Sequence, residues 1–250
     1  MLKVITAFAL AVASLPALAQ KLEAAQPPVL KILEARGLRG LKEFKVSSDV
    51  RGFAGMAGSD SLAVYVTKDG SAIVGTRIDA SGSAMDANAI ENLVVTPAME
   101  AVWQRLGAYR WVADGKEGAP RVVYVITDAN CPWCHRFWEA ARPWVVDGKI
   151  QLRHLLVGII GPDSPGKAAA ILESRNPSQA MENKERTGRI TPLGKVSVAS
   201  KRALDANLKL MQELGLRGTP GIIYRSSDGK VRTLGGFPNE EQLKQVLGPR

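Results

Sequence analysis

The sequence is poor in the residues that build disulfide scaffolds and metal centres. It contains two cysteines and two histidines in 250 residues. Two cysteines exclude a disulfide-rich scaffold and a four-cysteine metal site. Beyond the N-terminal segment no apolar run approaches the roughly 20 residues that span a bilayer. The hydrophobic fraction is 46% and the charged fraction 23%, which excludes wholesale disorder and indicates a globular chain.

The first residues have the pattern of a cleaved secretory leader. Lys3 precedes an apolar run over residues 4–15, and Ala17-Leu18-Ala19 forms a small-residue cleavage site before Gln20. The alternative is a membrane anchor, for which the run is short. We therefore expect a signal peptide over residues 1–19 and export to the periplasm, a compartment that permits disulfides.

The first half of the mature chain predicts a small α+β module. A short helix is expected over residues 27–36. Strands are expected over residues 41–50, 62–67 and 71–79, the last two joined by a hairpin at Lys68-Asp69-Gly70. Such a module has little core of its own, so a dimer interface is expected there.

Two further features of this half are a group of glycines and the start of a helix. Gly52, Gly55 and Gly58 superficially resemble a phosphate loop, but they do not join a parallel strand to a helix, which favours a flexible turn. Thr96-Pro97 is typical of a helix start, with Thr96 as the N-cap.

The second half has a different pattern. An apolar strand precedes Cys131-Pro132-Trp133-Cys134, and a helix, an apolar β-branched run, a helical section, a hairpin and a terminal helix follow. The strand is expected over residues 121–127, the helix over 131–141 and the β-branched run over 150–160. The helical section covers 164–215, with its clearest helix over 199–214. The hairpin is expected over 222–225 and 231–234, and the terminal helix over 239–247. This order predicts an α/β thioredoxin fold with a helical insertion over about residues 163–214.

The charge is divided unevenly between the halves. Residues 20–96 carry nine basic and nine acidic side chains, whereas residues 97–250 carry 23 and 15, a net charge of +8. One interpretation is a solvated surface, and the other is attraction to acidic partners. No aromatic-basic motif suggests nucleic acid.

Cys131 and Cys134 carry the main chemical prediction. Cys131 is placed at a helix N-terminus, where free N–H groups and the helix dipole favour a thiolate. Cys134 lies one turn further in, shielded from substrates. We therefore expect Cys131 to attack a substrate disulfide and Cys134 to resolve the mixed disulfide, so that the two form a redox-active disulfide. Trp133 is expected to be exposed and to offer substrate an apolar contact.

Other uses of this cysteine pair remain open. A zinc site would need His135 and His154 as further ligands, and neither has finger-like spacing. A permanent structural disulfide is the second alternative. His135 is either a surface residue or a group that tunes the thiolate, and His154 is expected to be structural. We expect no metal and no cofactor.

Thr219-Pro220 forms the second motif, before the apolar strand at residues 222–224. Thioredoxin-like proteins carry a cis-proline at this place, so the resemblance implies a cis peptide bond opposite Cys131. It also implies that Thr219 and Pro220 present backbone groups to substrate.

The sequence also resembles one family over essentially its whole mature length. The supporting stretches are Thr127–Cys134, Phe137-Trp138, Ala141–Trp144, Leu155–Gly158, Lys209–Met211, Gly52–Gly58 and Tyr65–Gly75. They resemble the periplasmic disulfide isomerase family of DsbC and DsbG, and its DsbG branch more, because the catalytic half has no second cysteine pair. Trp133 replaces the usual tyrosine, and Val125 stands where thioredoxin has a buried acid.

The resemblance implies an organisation and a set of activities. It implies a cystatin-like dimerisation domain over residues 20–83, a linker helix region over 84–108 and a thioredoxin-like catalytic domain over 109–250. It implies a homodimer with isomerase, reductase and chaperone activity on misfolded or cysteine-oxidised periplasmic proteins, including sulfenylated ones. A membrane reductase of the DsbD type would supply electrons. The alternative function is a holdase-type chaperone with an accessory cysteine pair.

Overall fold

The computed structural model describes residues 26–46 and 49–249. The signal peptide predicted over residues 1–19 lies outside the described residues. Two sheets organise the described chain, a four-stranded one in the first half and a five-stranded one in the second. The proposed boundaries at residues 83 and 108 remain a prediction. No helix of the described residues has the length and apolar character needed to cross a bilayer.

The first sheet is an antiparallel meander with the order β1-β2-β3-β4. A short helix precedes it, and its elements are α1 (Pro28–Ala35), β1 (Leu38–Phe44), β2 (Arg51–Ala57), β3 (Asp60–Val66) and β4 (Ala72–Val74). Successive residues of a strand face opposite sides of a sheet. Phe53 and Val64 accordingly pack with Leu30 of α1 on one face, whereas Ala54 and Tyr65 pack with Val94 on the other.

The strand boundaries predicted in this half are partly wrong. The strand expected over residues 41–50 overlaps only the end of β1, which ends at Phe44, whereas β2 begins at Arg51. The strand expected over residues 71–79 ends at Val74. The register of β1 shifts between Arg39 and Lys42, which obscures the alternation of apolar residues. The hairpin at Lys68-Asp69-Gly70 is confirmed, because β3 and β4 pair around it and Gly70 has a φ of 85°.

The interpretation of Gly52 and Gly55 as a flexible turn is also wrong. Both residues lie inside β2, and only Gly58 lies in a turn. A Cβ atom on Gly52 would lie 2.9 Å from the Phe44 ring. The glycines therefore let the side chains of β1 pack across the strand beside them.

One continuous helical segment connects the two sheets. It consists of α2 (Ala87–Ile90), a π-helical turn (Glu91–Val95) and α3 (Thr96–Leu106). The prediction of Thr96 as an N-cap is wrong, since its backbone is helical at φ −58° and ψ −48°. Pro97 cannot donate a helical hydrogen bond, and the π-helical turn just before it is a common local adjustment at such a position.

The second sheet has the order β5-β7-β6-β8-β9. Its strands are β5 (Val112–Asp114), β6 (Arg121–Asp128), β7 (Ile150–Val157), β8 (Gly221–Arg225) and β9 (Val231–Gly235). Strands β6 and β7 are parallel and are joined through α4 (Pro132–Val146). Of the five strands, β5 was not anticipated from the sequence.

Three helices lie between β7 and β8, and a terminal helix follows β9. They are α5 (Ser164–Leu172), α6 (Pro177–Thr187), α7 (Val198–Glu213) and α8 (Glu240–Leu247). The central strand β6 is covered on both faces, which explains its nearly continuous apolar sequence. Val123 and Val125 pack towards α4 and α8, whereas Tyr124 and Ile126 pack towards α3 and α7.

Candidate active site

Cys131 lies between the end of β6 and the start of α4. It is the N-cap residue of α4, with φ −83° and ψ 111°, and Pro132 occupies the first helical position. The backbone N–H of Cys134 donates to Cys131 Sγ over 3.1 Å. A helix N-terminus presents N–H groups that lack helical partners, so the Cys131 sulfur receives one of them.

The loop before β8 brings Thr219 and Pro220 to the same sulfur. Cys131 Sγ lies 3.3 Å from the Thr219 carbonyl oxygen, to which the sulfur donates while it is protonated. The Thr219–Pro220 peptide bond is cis, as predicted. Strand β8 pairs directly with β6, so the sheet itself holds this loop beside the end of β6. The buried Thr219 hydroxyl has no hydrogen-bond partner among the described residues.

The two sulfurs differ in their protonation. The contact with Cys134 is the main cause that lowers the pKa of Cys131 to about 6, against the effect of burial. Burial, followed by the contact with Cys131, raises the pKa of Cys134 far above its ordinary value. Near neutral pH Cys131 is therefore mostly a thiolate, the nucleophilic form, while Cys134 keeps its proton.

Trp133 lies at the outer rim of this site. Its side chain is 50% exposed, as predicted. The ring centroids of Trp133 and Phe237 are 6.2 Å apart, and the Arg136 guanidinium lies 4.9 Å from the Trp133 centroid. The Trp133 ring is therefore held in place by an aromatic and a cationic neighbour. It offers an apolar surface beside the Cys131 sulfur.

An open groove of about 500 Å³ adjoins Cys131 on another side. Its lining includes Asn130, His135, Lys184, Glu185, Arg186 and Thr187. His135 Nδ1 lies 2.9 Å from Glu185 Oε2, and Lys184 Nζ donates to Glu185 Oε1 over 3.0 Å. His135 is thus tied to α6 by a buried carboxylate, a contact that sequence reasoning missed.

Asp128 is a second residue that sequence reasoning missed. It ends β6, is fully buried, and accepts hydrogen bonds from the backbone N–H groups of Ile159 and Ile160 at 2.7 and 3.1 Å. It also accepts from Ser164 Oγ and from the Asn130 N–H. An acidic residue closing an apolar strand just before the cysteines was the available sequence signal. Asp128 fixes the loop after β7 against the segment that carries Cys131.

The remaining candidates do not join the site. His154 lies on β7 with its Nε2 3.5 Å from Asp114 Oδ2, a contact between strands. Val125 is part of the buried apolar core, where thioredoxin has a buried acid. Within residues 26–46 and 49–249, no three His, Cys, Asp or Glu side chains cluster in a way that could hold a metal ion.

Known proteins resemble this chain at the level of domain family and of sequence. The thioredoxin-like domain family matches residues 113–249. The thiol:disulfide interchange protein DsbG of Pseudomonas aeruginosa is 39% identical over 228 residues, which cover 90% of this chain and 89% of that protein. The protein of the same name from Escherichia coli is 37% identical over 243 residues, covering 96% and 97%. The thiol-disulfide exchange protein alpha-DsbA2 of Wolbachia pipientis matches at 14% identity with a TM-score of 0.48, covering 61% of this chain and 94% of that structure. The family match confirms the thioredoxin fold predicted for the second half.

Proposed function

Because the chain belongs to the DsbG family of thiol:disulfide interchange proteins and is a thiol–disulfide oxidoreductase, we propose that Cys131 is its nucleophile and Cys134 its resolving cysteine. The single observation that carries these roles is the position of Cys131 as the N-cap of α4, where its sulfur accepts the Cys134 backbone N–H over 3.1 Å. This contact agrees in direction with a Cys131 pKa lowered to about 6 and a Cys134 pKa raised by burial. Exchange requires one sulfur that is a thiolate and attacks first, and a second that stays protonated until the mixed disulfide has formed.

The exchange proceeds in two balanced steps. The Cys131 thiolate attacks a substrate disulfide, a Cys131–substrate S–S bond forms, and the other substrate sulfur leaves as a thiolate. Cys134 then loses its proton and attacks Cys131 Sγ, which releases the second substrate thiolate and forms the Cys131–Cys134 disulfide. Two electrons pass to the substrate. In isomerisation a substrate thiolate attacks the mixed disulfide instead, and no net electrons are transferred.

Cys134 needs a trigger to become a nucleophile. In the reduced protein its N–H donates to Cys131 Sγ, and the nearby Cys131 charge helps to keep it protonated. Once Cys131 is covalently bound to substrate, that negative charge is gone, so the pKa of Cys134 falls towards its ordinary value. Resolution therefore follows the formation of the mixed disulfide.

Substrate would bind along Trp133, Thr219 and Pro220. The exposed Trp133 ring supplies apolar contact area. The Thr219 hydroxyl is buried rather than open to substrate, and its nearness to the Cys131 sulfur helps to lower the pKa of Cys131. Substrates of this site are misfolded proteins or proteins with oxidised cysteines. With a sulfenic acid, the Cys131 thiolate would displace hydroxide, which takes a proton from solvent to become water, and would form a mixed disulfide.

The assembly we propose is a periplasmic homodimer formed through residues 20–83 and exported by the leader at residues 1–19. Strand β4 is an edge strand whose Ile73 and Val74 are 59% and 47% exposed. Ile78 and Met85 are exposed nearby. An exposed apolar edge strand is usually covered or paired with another strand. Pairing β4 with β4 of a second copy would cover both edges. A membrane reductase of the DsbD type would return Cys131 and Cys134 to the dithiol.

Two assays on the same samples separate oxidoreductase from holdase function. The wild type is expected to reduce insulin and refold a scrambled-disulfide substrate, and Cys131→Ala to do neither. A holdase with an accessory cysteine pair would instead suppress aggregation equally well in both forms and show no thiol activity in either. The family comparisons favour the oxidoreductase.

A further inference from the structure

Arg136 is held in an unusual way beside the reactive cysteine. Its guanidinium carbon lies 4.9 Å from the ring centroid of Trp133 and 5.1 Å from that of Phe237. Trp133 belongs to the first turn of α4, and Phe237 lies between β9 and α8. Two ring contacts orient the planar guanidinium while its residue stays exposed. A pre-oriented guanidinium with accessible N–H groups is suited to binding a carboxylate.

Arg136 also differs from its cationic neighbours in having no acidic partner. Lys184 is paired with Glu185 at 3.0 Å and Arg186 with Glu182 at 3.6 Å. Within the described chain no carboxylate oxygen comes within 4.0 Å of the Arg136 or the Arg217 guanidinium. Arg217 is exposed and lies two residues before Thr219. The charges of Arg136 and Arg217 are therefore available to a molecule that approaches Cys131.

The two arginines belong to the two chain segments that meet at the Cys131 sulfur. Cys131 Sγ lies 3.3 Å from Thr219 O, so the start of α4 meets the loop that carries Arg217. Arg217 is about 7 Å or less from Thr219 along the chain, and Arg136 is roughly 7 Å along the axis of α4 from Cys131. Both arginines are therefore close along the chain to groups that contact the Cys131 sulfur.

We propose that Arg136 and Arg217 select substrate segments that carry acidic residues next to the cysteine. This inference rests on the proposed function and names its substrate class. The chemistry of exchange is unchanged, since Cys131 still bonds to the substrate sulfur and the partner sulfur still leaves as a thiolate. The net charge of +8 over residues 97–250 has the sign that would draw such segments towards the site.

The test compares two disulfide-linked peptide homodimers that differ only in the residues flanking cysteine, Asp in one and Asn in the other. Each is mixed with the reduced protein in single-turnover experiments, and each rate constant is divided by that of dithiothreitol with the same peptide. At low salt we expect a preference for the Asp peptide of about tenfold, falling to about twofold at high salt. Arg136→Gln and Arg217→Gln should each reduce the preference by about threefold.

Two further variants keep the result interpretable. Lys149→Gln removes the same charge beyond the far end of α4 and should leave the preference intact. Arg136→Lys keeps the charge but loses the planar fork, so it should retain only part of the preference. Circular dichroism confirms that each variant is folded.

The outcomes are distinct. Equal normalised rates for the two peptides in the wild type overturn this inference and leave the proposed function standing. A preference that survives both Arg136→Gln and Arg217→Gln, or that falls equally in Lys149→Gln, also overturns it and points to net charge alone. Failure to reduce either peptide overturns the proposed function and this inference with it.

Discussion

The two sheets of this protein differ in what covers them. In the second sheet β6 is buried on both faces, and the loops at its end fix Cys131 between Asp128 and Thr219. In the first sheet the edge strand β4 exposes Ile73 and Val74 to solvent. Chemistry at a sulfur needs groups held within a few tenths of an ångström, which a covered sheet provides. An exposed apolar edge is instead suited to contact with another chain, as in the dimer that we propose.

The largest effect is expected from removing the sulfur at the end of β6. Cys131→Ser should lower the rate of insulin reduction by at least about 1000-fold, because the nucleophile is lost. Cys134→Ser should retain the attack but accumulate mixed disulfides, which non-reducing gels would display. Substantial reductase activity in Cys131→Ser would contradict the proposed roles.

Matched substitutions of a carboxylate test the difference in burial between the two halves. Asp128→Asn replaces a buried carboxylate that accepts four hydrogen bonds and should lower the free energy of unfolding by about 2–4 kcal/mol. Asp79→Asn, in an exposed turn of the first half, should change it much less. Urea denaturation of both variants measures the contrast, and equal losses would argue against a special role for Asp128.

A charge on the exposed edge of the first sheet tests the dimer. Ile73→Lys should weaken self-association by at least about tenfold, since pairing would bury a lysine without a partner. Ile32→Lys, on the exposed side of α1, is the matched control and should leave the dimer intact. Light scattering at micromolar concentration gives the mass of each. A monomeric wild-type protein, or dimers of unchanged affinity in Ile73→Lys, would remove the support for this interface.

The smallest effect is expected where the connecting helical segment meets the second sheet. Glu91 pairs with Arg232 at 2.9 Å and with Lys230 at 3.8 Å. Both partners are partly exposed, so Glu91→Gln should lower stability by about 0.5–1 kcal/mol at low salt. The loss should disappear in high salt because such pairs are screened. A large, salt-independent loss would show that this junction is part of the folding core.

The sequence predicted the catalytic half better than the first half, for physical reasons. The apolar strand, the cysteine motif, the helix start and the Thr219–Pro220 loop are local patterns, and the structure contains all of them. In the first half the strand register shifts and the glycines serve close packing, so alternation of apolar residues was misleading.

Contacts between distant residues could not be predicted from local patterns. His135 meets Glu185, and Arg136 meets Phe237, only because the fold brings together segments separated by tens of residues or more. The strand β5 has three residues, which is too short for a periodic pattern. Asp128 could have been noticed at the end of its strand, but its loop partners become known only with the structure.

The most direct test of the central claim is the pH dependence of alkylation at each cysteine of the reduced protein. Mass spectrometry after brief exposure to iodoacetamide, from about pH 4 to about pH 9, gives a rate for each sulfur separately. The thiolate is the reactive form, so a lowered pKa moves reactivity to lower pH. Cys131 should react with a midpoint near pH 6, and Cys134, whose pKa is raised, should remain unlabelled over this range. Labelling of Cys134 before Cys131, or a midpoint for Cys131 near the ordinary value of 9.0, would contradict the account.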